Sequence, residues 1–216
     1  MSYAATILLQ NTSRFDSGSS VKIGLNYPFM WQKELSDQRL KDLIQQCRDG
    51  DSQAMEILYE HFKTSLFSLA LRYTYNYAAA EDVIQDVFVK VFTNLHTLDD
   101  DKAFVGWMYR IAVNTCLSYL RSHKKLRQKT IPLEDVRSVV ADAEPSATQK
   151  AESKIIEQTI QKLPPRLKSV FLLHDVQGFK HQEIAHILGC SVGTSKSQLF
   201  KARKKIRKLL EQKQWM

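Results

Sequence analysis

Between Thr194 and Lys205 the chain sets three hydroxyls, one carboxamide, one aromatic ring and five cations on a stretch with no acid. Side chains of these types donate to base edges and to phosphate oxygens. Ahead of them runs HQEIAHIL (181–188), apolar at helical spacing, followed by the turn residues GCS (189–191). Two short helices joined by a glycine-containing turn, the second polar at its start and then cationic, describe a helix-turn-helix. The second helix starts near Val192. In this motif its N-terminal side chains meet base edges in the major groove. The chemistry implied is the reading of DNA, not the making or breaking of bonds.

The charge is segregated in the same direction. Of 31 Lys+Arg and 23 Asp+Glu, residues 150–216 hold 14 and 5, a net of +9. Residues 1–149 carry a net of −1. A basic terminal segment on a near-neutral remainder is the footprint of a polyanion binder. A solvated cationic face is the plainer alternative.

Other chemistries find less support. His174, His181, His186 and Cys190 fit no zinc-module spacing, and His181 and His186 lie five apart, off a shared helix face. The run Asp99–Asp101 has no second carboxylate cluster to complete a divalent-ion site. No Gly-rich phosphate loop or Gly-x-Ser-x-Gly motif occurs. The expectation is a protein without enzymatic activity, metal or cofactor. Cys47, Cys116 and Cys190 are odd in number and far apart, which fits a reducing cytosol. No apolar run reaches the roughly 18 residues of a membrane span. The N-terminal patch AATILL is too short for a signal peptide. A cytoplasmic protein with no membrane insertion follows as the expectation.

The positioning elements are helices. Seven Gly, five Pro and few β-branched runs predict an all-α chain. Residues 1–35 form a polar tail with no period. A helix starts near Ser36, with Leu40, Leu43, Ile44 and Cys47 on one face, and stops at Asp49-Gly50. Asp51 caps the next, which carries Ala54, Ile57, Leu58, His61, Phe62, Leu66, Leu69 and Ala70. A third begins at AAAEDV, its acids in the first turns. After HTLDDDK, a long helix runs from Ala103 to about Lys125. Periodicity fails over 128–148, read as a flexible linker. Pro164-Pro165 then starts a helix reaching Val176, and Gly178 ends it. Four segments are predicted: the tail 1–35, a helical domain 36–127, the linker 128–148, and a helix-turn-helix domain 149–216.

Three stretches, AEDVIQDVFVKVF (80–92), FVGWMYRIAVNTCLSYLRSHKK (104–125) and LPPRLKSVFLLHDVQGFKHQEIAHILGCSVGTSKSQLFKAR (163–203), in this order resemble the bacterial extracytoplasmic-function sigma factors of RNA polymerase. The likeness covers about Ser36 to Leu210. It implies a transcription initiation factor that binds core RNA polymerase and promoter DNA, with a cognate anti-sigma factor as a further possible partner. In the first stretch Asp82, Gln85, Asp86 and Phe88 match the polymerase-binding helix, while Val83, Val87, Val91 and Phe92 read as core. The second is similar to the segment that melts and reads the minus-ten element, where Arg110, Asn114, Arg121, Lys124 and Lys125 supply polar contacts. Trp107 reads as packing more than as a base platform. The loop 96–103 stands where family members hold a flipped base.

In the third stretch, Thr194, Lys196, Ser197, Gln198, Phe200, Lys201, Arg203 and Lys204 fall on the reader of the minus-thirty-five element. Lys196 and Gln198 suit guanine and adenine edges, whereas Lys201, Arg203, Lys204 and Lys205 suit phosphates. Ile187, Leu188, Leu199 and Ile206 read as core. Two departures stand out. Lys180 replaces a frequent Ser, removing a cap worth about 1 kcal/mol, and GTSKSQ replaces the usual GTVKSR at Ser195 and Gln198. The competing reading is a response-regulator or quorum-type activator, which would need a strand-rich domain in front. A third is an adaptor that binds polymerase but not DNA.

Overall fold

The computed structural model describes residues 35–123 and 155–214; helices and short turns make up both stretches, with no strand among the described residues. They divide into two compact units, one on each stretch. The tail, the linker over 128–148, and Lys124 and Lys125 lie outside the described residues.

In the first unit, α1 (Asp37–Arg48) opens at Ser36, whose Oγ accepts the Arg39 N–H at 3.2 Å. Leu43, Ile44 and Cys47 bury its apolar face. Gly50 takes φ +87°, which side chains resist. Asp51 then caps α2 (Ser52–Thr74) by accepting from the Gln53 and Ala54 N–H groups. Helix α2 is the hub and packs on α1, α3 and α4. Leu58, Phe62, Leu66 and Leu69 are its buried ridge, each contributing about 1.5–3 kcal/mol on leaving water. Ile57, read as part of that ridge, is 41% exposed; it stands one position off the Ala54–Leu58 spacing.

Helix α3 (Tyr77–Asn94) begins earlier than its acids suggest, because Asn76 caps it by accepting from the Ala79 N–H at 2.9 Å. Glu81 and Asp82 therefore fall beyond the first turn, where the dipole is felt less. Two 3-10 turns, Leu95–Thr97 and Asp101–Ala103, lead to α4 (Phe104–Ser122).

In the second unit, helix α5 spans 155–161 and buries Ile156 and Ile160. Pro165 sits at the first position of α6 (Pro165–Phe171), where its missing N–H costs nothing. The sequence predicts a plain helix to Val176. The residues Leu172–Val176 instead widen into a π-turn. There follow α7 (His181–Leu188), a left-handed Gly189 at φ +62°, and α8 (Val192–Gln214). Ser191 Oγ starts α8 by accepting the Thr194 N–H at 3.0 Å. Both α6 and α7 pack on α8. Lys180 leaves only half a capping box: Glu183 Oε2 accepts the Lys180 N–H at 2.6 Å, while a lysine side chain has no acceptor to return.

Candidate nucleic-acid interface

Helix α8 divides cleanly. Ser195, Leu199, Ala202 and Ile206 are buried. Lys196, Ser197, Phe200, Lys201, Lys204 and Lys205 are exposed, and Thr194 and Gln198 are half-buried. Phe200 is 69% exposed among cations one turn away on either side, Lys196 and Lys204. A large apolar ring held in water at that place suits contact with a base or its methyl group. Ser197 Oγ donates to the Thr194 carbonyl at 3.0 Å, and the Thr194 and Ser191 hydroxyls are 2.8 Å apart. Ile187 is buried as expected, whereas Leu188 is only half-buried.

Arg203 departs from its expected role as a phosphate contact. Its Nη2 lies 2.6 Å from Asp175 Oδ1 and its Nε 3.0 Å from Oδ2, a two-point pair with a carboxylate only 3% exposed. The guanidinium is spent on the interior of the unit. His174 Nδ1 meets the same carboxylate at 2.7 Å. Burial pushes the Asp175 carboxyl up, but hydrogen bonds from His174 and Arg203 outweigh it and hold the group below the usual carboxylate value.

The His174 and His181 rings lie 4.7 Å apart, and His181 Nδ1 sits 2.9 Å from the buried Ser195 Oγ. The serine in GTSKSQ thus ties the recognition helix to α7. His186 is exposed on another face, and no metal-binding group of three His, Cys, Asp or Glu forms among the described residues.

Burial first, then the electrostatic influence of His174, Lys196 and Arg203, lowers the His181 value, with Asp175 opposing. An imidazole lowered in the folded state adds stability above its unfolded value, about 6.5. That stability is lost as pH falls from there towards the folded value. The melting temperature of the wild-type chain should therefore fall between pH 7.5 and 5.5 by more than that of His181→Gln. Equal falls in the two proteins would show that His181 is not the group responsible. The comparison with the variant is needed because His61, in the other unit, is lowered by burial with the same sign.

On α4, Arg110, Asn114 and Arg121 are exposed and share one face with Trp107 and Ser118. On that face Trp107, Asn114 and Ser118 line a cleft of about 420 Å³, together with Ile111 and Thr115 of α4 and with Lys90, Asn94 and Thr97 from α3 and its following turn. Lys90 Nζ donates to Thr115 Oγ1 at 3.2 Å and stands 3.7 Å from Asp86. Trp107 and Tyr109 differ in burial. Tyr109 is the packed one, 1% exposed, with its hydroxyl on Ser65 Oγ at 3.1 Å and its phenol pushed up to about 12 by burial. Trp107 is half-buried and faces the cleft, so the packing read for it is only partial. Of the acidic loop, Asp101 pairs with Arg48 at 2.8 Å and Asp100 accepts the Lys102 N–H, which leaves Asp99 the least engaged of the three. Cys47 and Cys116 are buried thiols pushed up to about 11 and about 12 by that burial, so neither is a primed nucleophile.

On α3, Asp82, Gln85 and Asp86 are exposed on one face. Phe88 is not; it is 5% exposed, its ring 4.7 Å from that of Tyr59 and 5.9 Å from that of Phe92. It follows Val87 in the buried stripe, and its ring packs inward. Val89, 64% exposed, is the apolar side chain on the acidic face. Sequence reading missed it, although the Val83–Val87–Val91 spacing already leaves Val89 on the face of Asp82 and Asp86.

Models of two sigma-70 regions match the chain: region 2 over residues 58–126 and region 4 over 153–206. The ECF RNA polymerase sigma-E factor of Escherichia coli (strain K12) is 32% identical over 187 residues, 81% of this chain and 94% of that protein. The chain belongs to the ECF sigma-factor family. It is 28% identical over 186 residues to the RNA polymerase sigma-H factor of Pseudomonas aeruginosa, 96% of which is covered. The fold is also that of the sigma factor RpoE solved in complex with the anti-sigma factor NepR from Bartonella quintana, with a TM-score of 0.59, 18% identity, and 72% and 96% of the two chains covered. This sigma factor binds core RNA polymerase and directs it to promoters. The activator reading is set aside, and no helix of the described residues is long and apolar enough to cross a membrane.

Proposed function

We propose that the two units divide the work of promoter recognition, with 36–127 docking on polymerase and handling the minus-ten element, and 149–216 reading the minus-thirty-five element. The observation that carries the first half is the α4 cleft, where an indole, two carboxamides and a lysine line a recess on the helix face that also presents Arg110 and Arg121. A recess of mixed aromatic and amide character beside cations suits an unstacked base and its phosphates. Lys124 and Lys125 extend that cationic run in the sequence. Asp82, Gln85 and Asp86, with Val89 added, form the polymerase contact; Phe88 supports them from beneath. The protein acts in the cytoplasm as a non-enzymatic factor, and a cognate anti-sigma factor is a fitting regulator, because the RpoE relative was captured with one.

On α8, Lys196 and Gln198 read bases, Phe200 adds apolar contact, and Thr194, Ser197, Lys201 and Lys204 hold the backbone. Lys196→Ala and Gln198→Ala should each change the ranking of promoters in a library by about 1–3 kcal/mol at the base read. Lys204→Ala should weaken all promoters alike. The division of roles is wrong if Lys196→Ala and Lys204→Ala give the same profile with holoenzyme.

A further inference from the structure

Arg48, the last residue of α1, reaches across to the segment between α3 and α4. Its Nη2 donates to the Leu98 carbonyl at 2.7 Å and pairs with Asp101 at 2.8 Å, while its Nε reaches the Leu95 carbonyl at 3.5 Å. The guanidinium is mostly enclosed, with 20% of its side chain exposed. Leu95 and Leu98 plug into the core, at 2% and 8% exposed. Between them His96 and Thr97 face solvent, and Thr97 and the preceding Asn94 are walls of the α4 cleft. One side chain thus clamps both ends of the wall and neutralises the acid that follows it.

We propose that Arg48 is a positioning residue for base selection: it holds the 95–101 turn in the one arrangement that gives the cleft its shape, without touching the nucleic acid. The planar fork matters. Arginine can meet two carbonyls from fixed directions while setting its charge beside a carboxylate, whereas lysine offers a single charged point. A wall left free to shift by about an ångström degrades discrimination more than affinity, because phosphate contacts on Arg110 and Arg121 do not depend on it. The inference rests on the reading of the α4 cleft as the single-strand site.

The test uses holoenzyme reconstituted from core polymerase and the full chain. The probe is a duplex library with a short unpaired bubble randomised on one strand. Wild type should select particular bases within the bubble. Arg48→Met should flatten that selection by about tenfold, leave association with core polymerase within about twofold, and keep its helical content. Arg48→Lys should fall between the two. Selection unchanged in a folded Arg48→Met protein overturns the proposal, as does a parallel loss of selection and of core binding, which marks general destabilisation. Should Arg48→Met not fold, Asp101→Asn removes only the charge from the clamp. A flattened profile there supports the role, and an unchanged one overturns it. Wild type that selects no base at all removes the cleft reading itself, and the role of Arg48 with it.

Discussion

Arg203→Ala is expected to unfold the helix-turn-helix unit while leaving the first unit helical. The substitution strands the Asp175 carboxylate, 3% exposed, with His174 as its remaining partner among those described above. Removing one member of a buried pair costs about 3–5 kcal/mol, because the other charge stays out of water. A unit of this size draws no more than about 3–5 kcal/mol from its core, so the loss is of the same order as the whole. Circular dichroism should show the helical signal partly lost at room temperature, and amide spectra should show residues 155–214 collapsing to unfolded shifts. The pair Arg203→Met with Asp175→Leu should restore much of the fold, since apolar replacements of similar volume often match a buried ion pair. A single Arg203→Ala protein that melts like wild type would mean the carboxylate has access to water that the burial denies.

The second large effect concerns polymerase. Asp82→Arg with Asp86→Arg reverses the charge of the exposed face of α3. The double variant is expected to lose core affinity by about 2–4 kcal/mol, as charge reversals at the centre of an interface do. Both side chains are exposed, so stability should change by no more than about 0.5 kcal/mol each. Competition against wild type for core polymerase measures the loss, and a folded double variant that competes equally would show that polymerase binds elsewhere.

Much of this architecture is legible in the residues because its signals are local. Ser36, Asp51 and Pro165 start helices where their side chains satisfy or remove the first free N–H groups. Gly189 marks the turn because few residues accept its backbone. What could not be read depended on partners far along the chain. Arg203 resembles its cationic neighbours until Asp175, 28 residues earlier, is seen beneath it. Arg48 carries no signal without Leu98 and Asp101. Helix α3 starts at Tyr77, one residue before the AAAEDV that the sequence suggests, because Asn76 makes the capping bond. Phe88, four residues after the buried Ile84, turns inward, and Val89, one residue on and so 100° further around the helix, turns out.

The row of cations on α8 gives the protein opposite dependences on ionic strength. Lys201, Lys204, Lys205 and Lys208 lie three and four residues apart on its surface, where like charges repel by a few tenths of a kcal/mol per pair. Added electrolyte screens that repulsion and steadies the free helix. The same ions compete for the phosphates that these lysines would otherwise neutralise, so the complex loosens as the free fold firms. The factor is thus at its most stable where it holds DNA least, and the polyanion itself supplies the missing counterions when they meet.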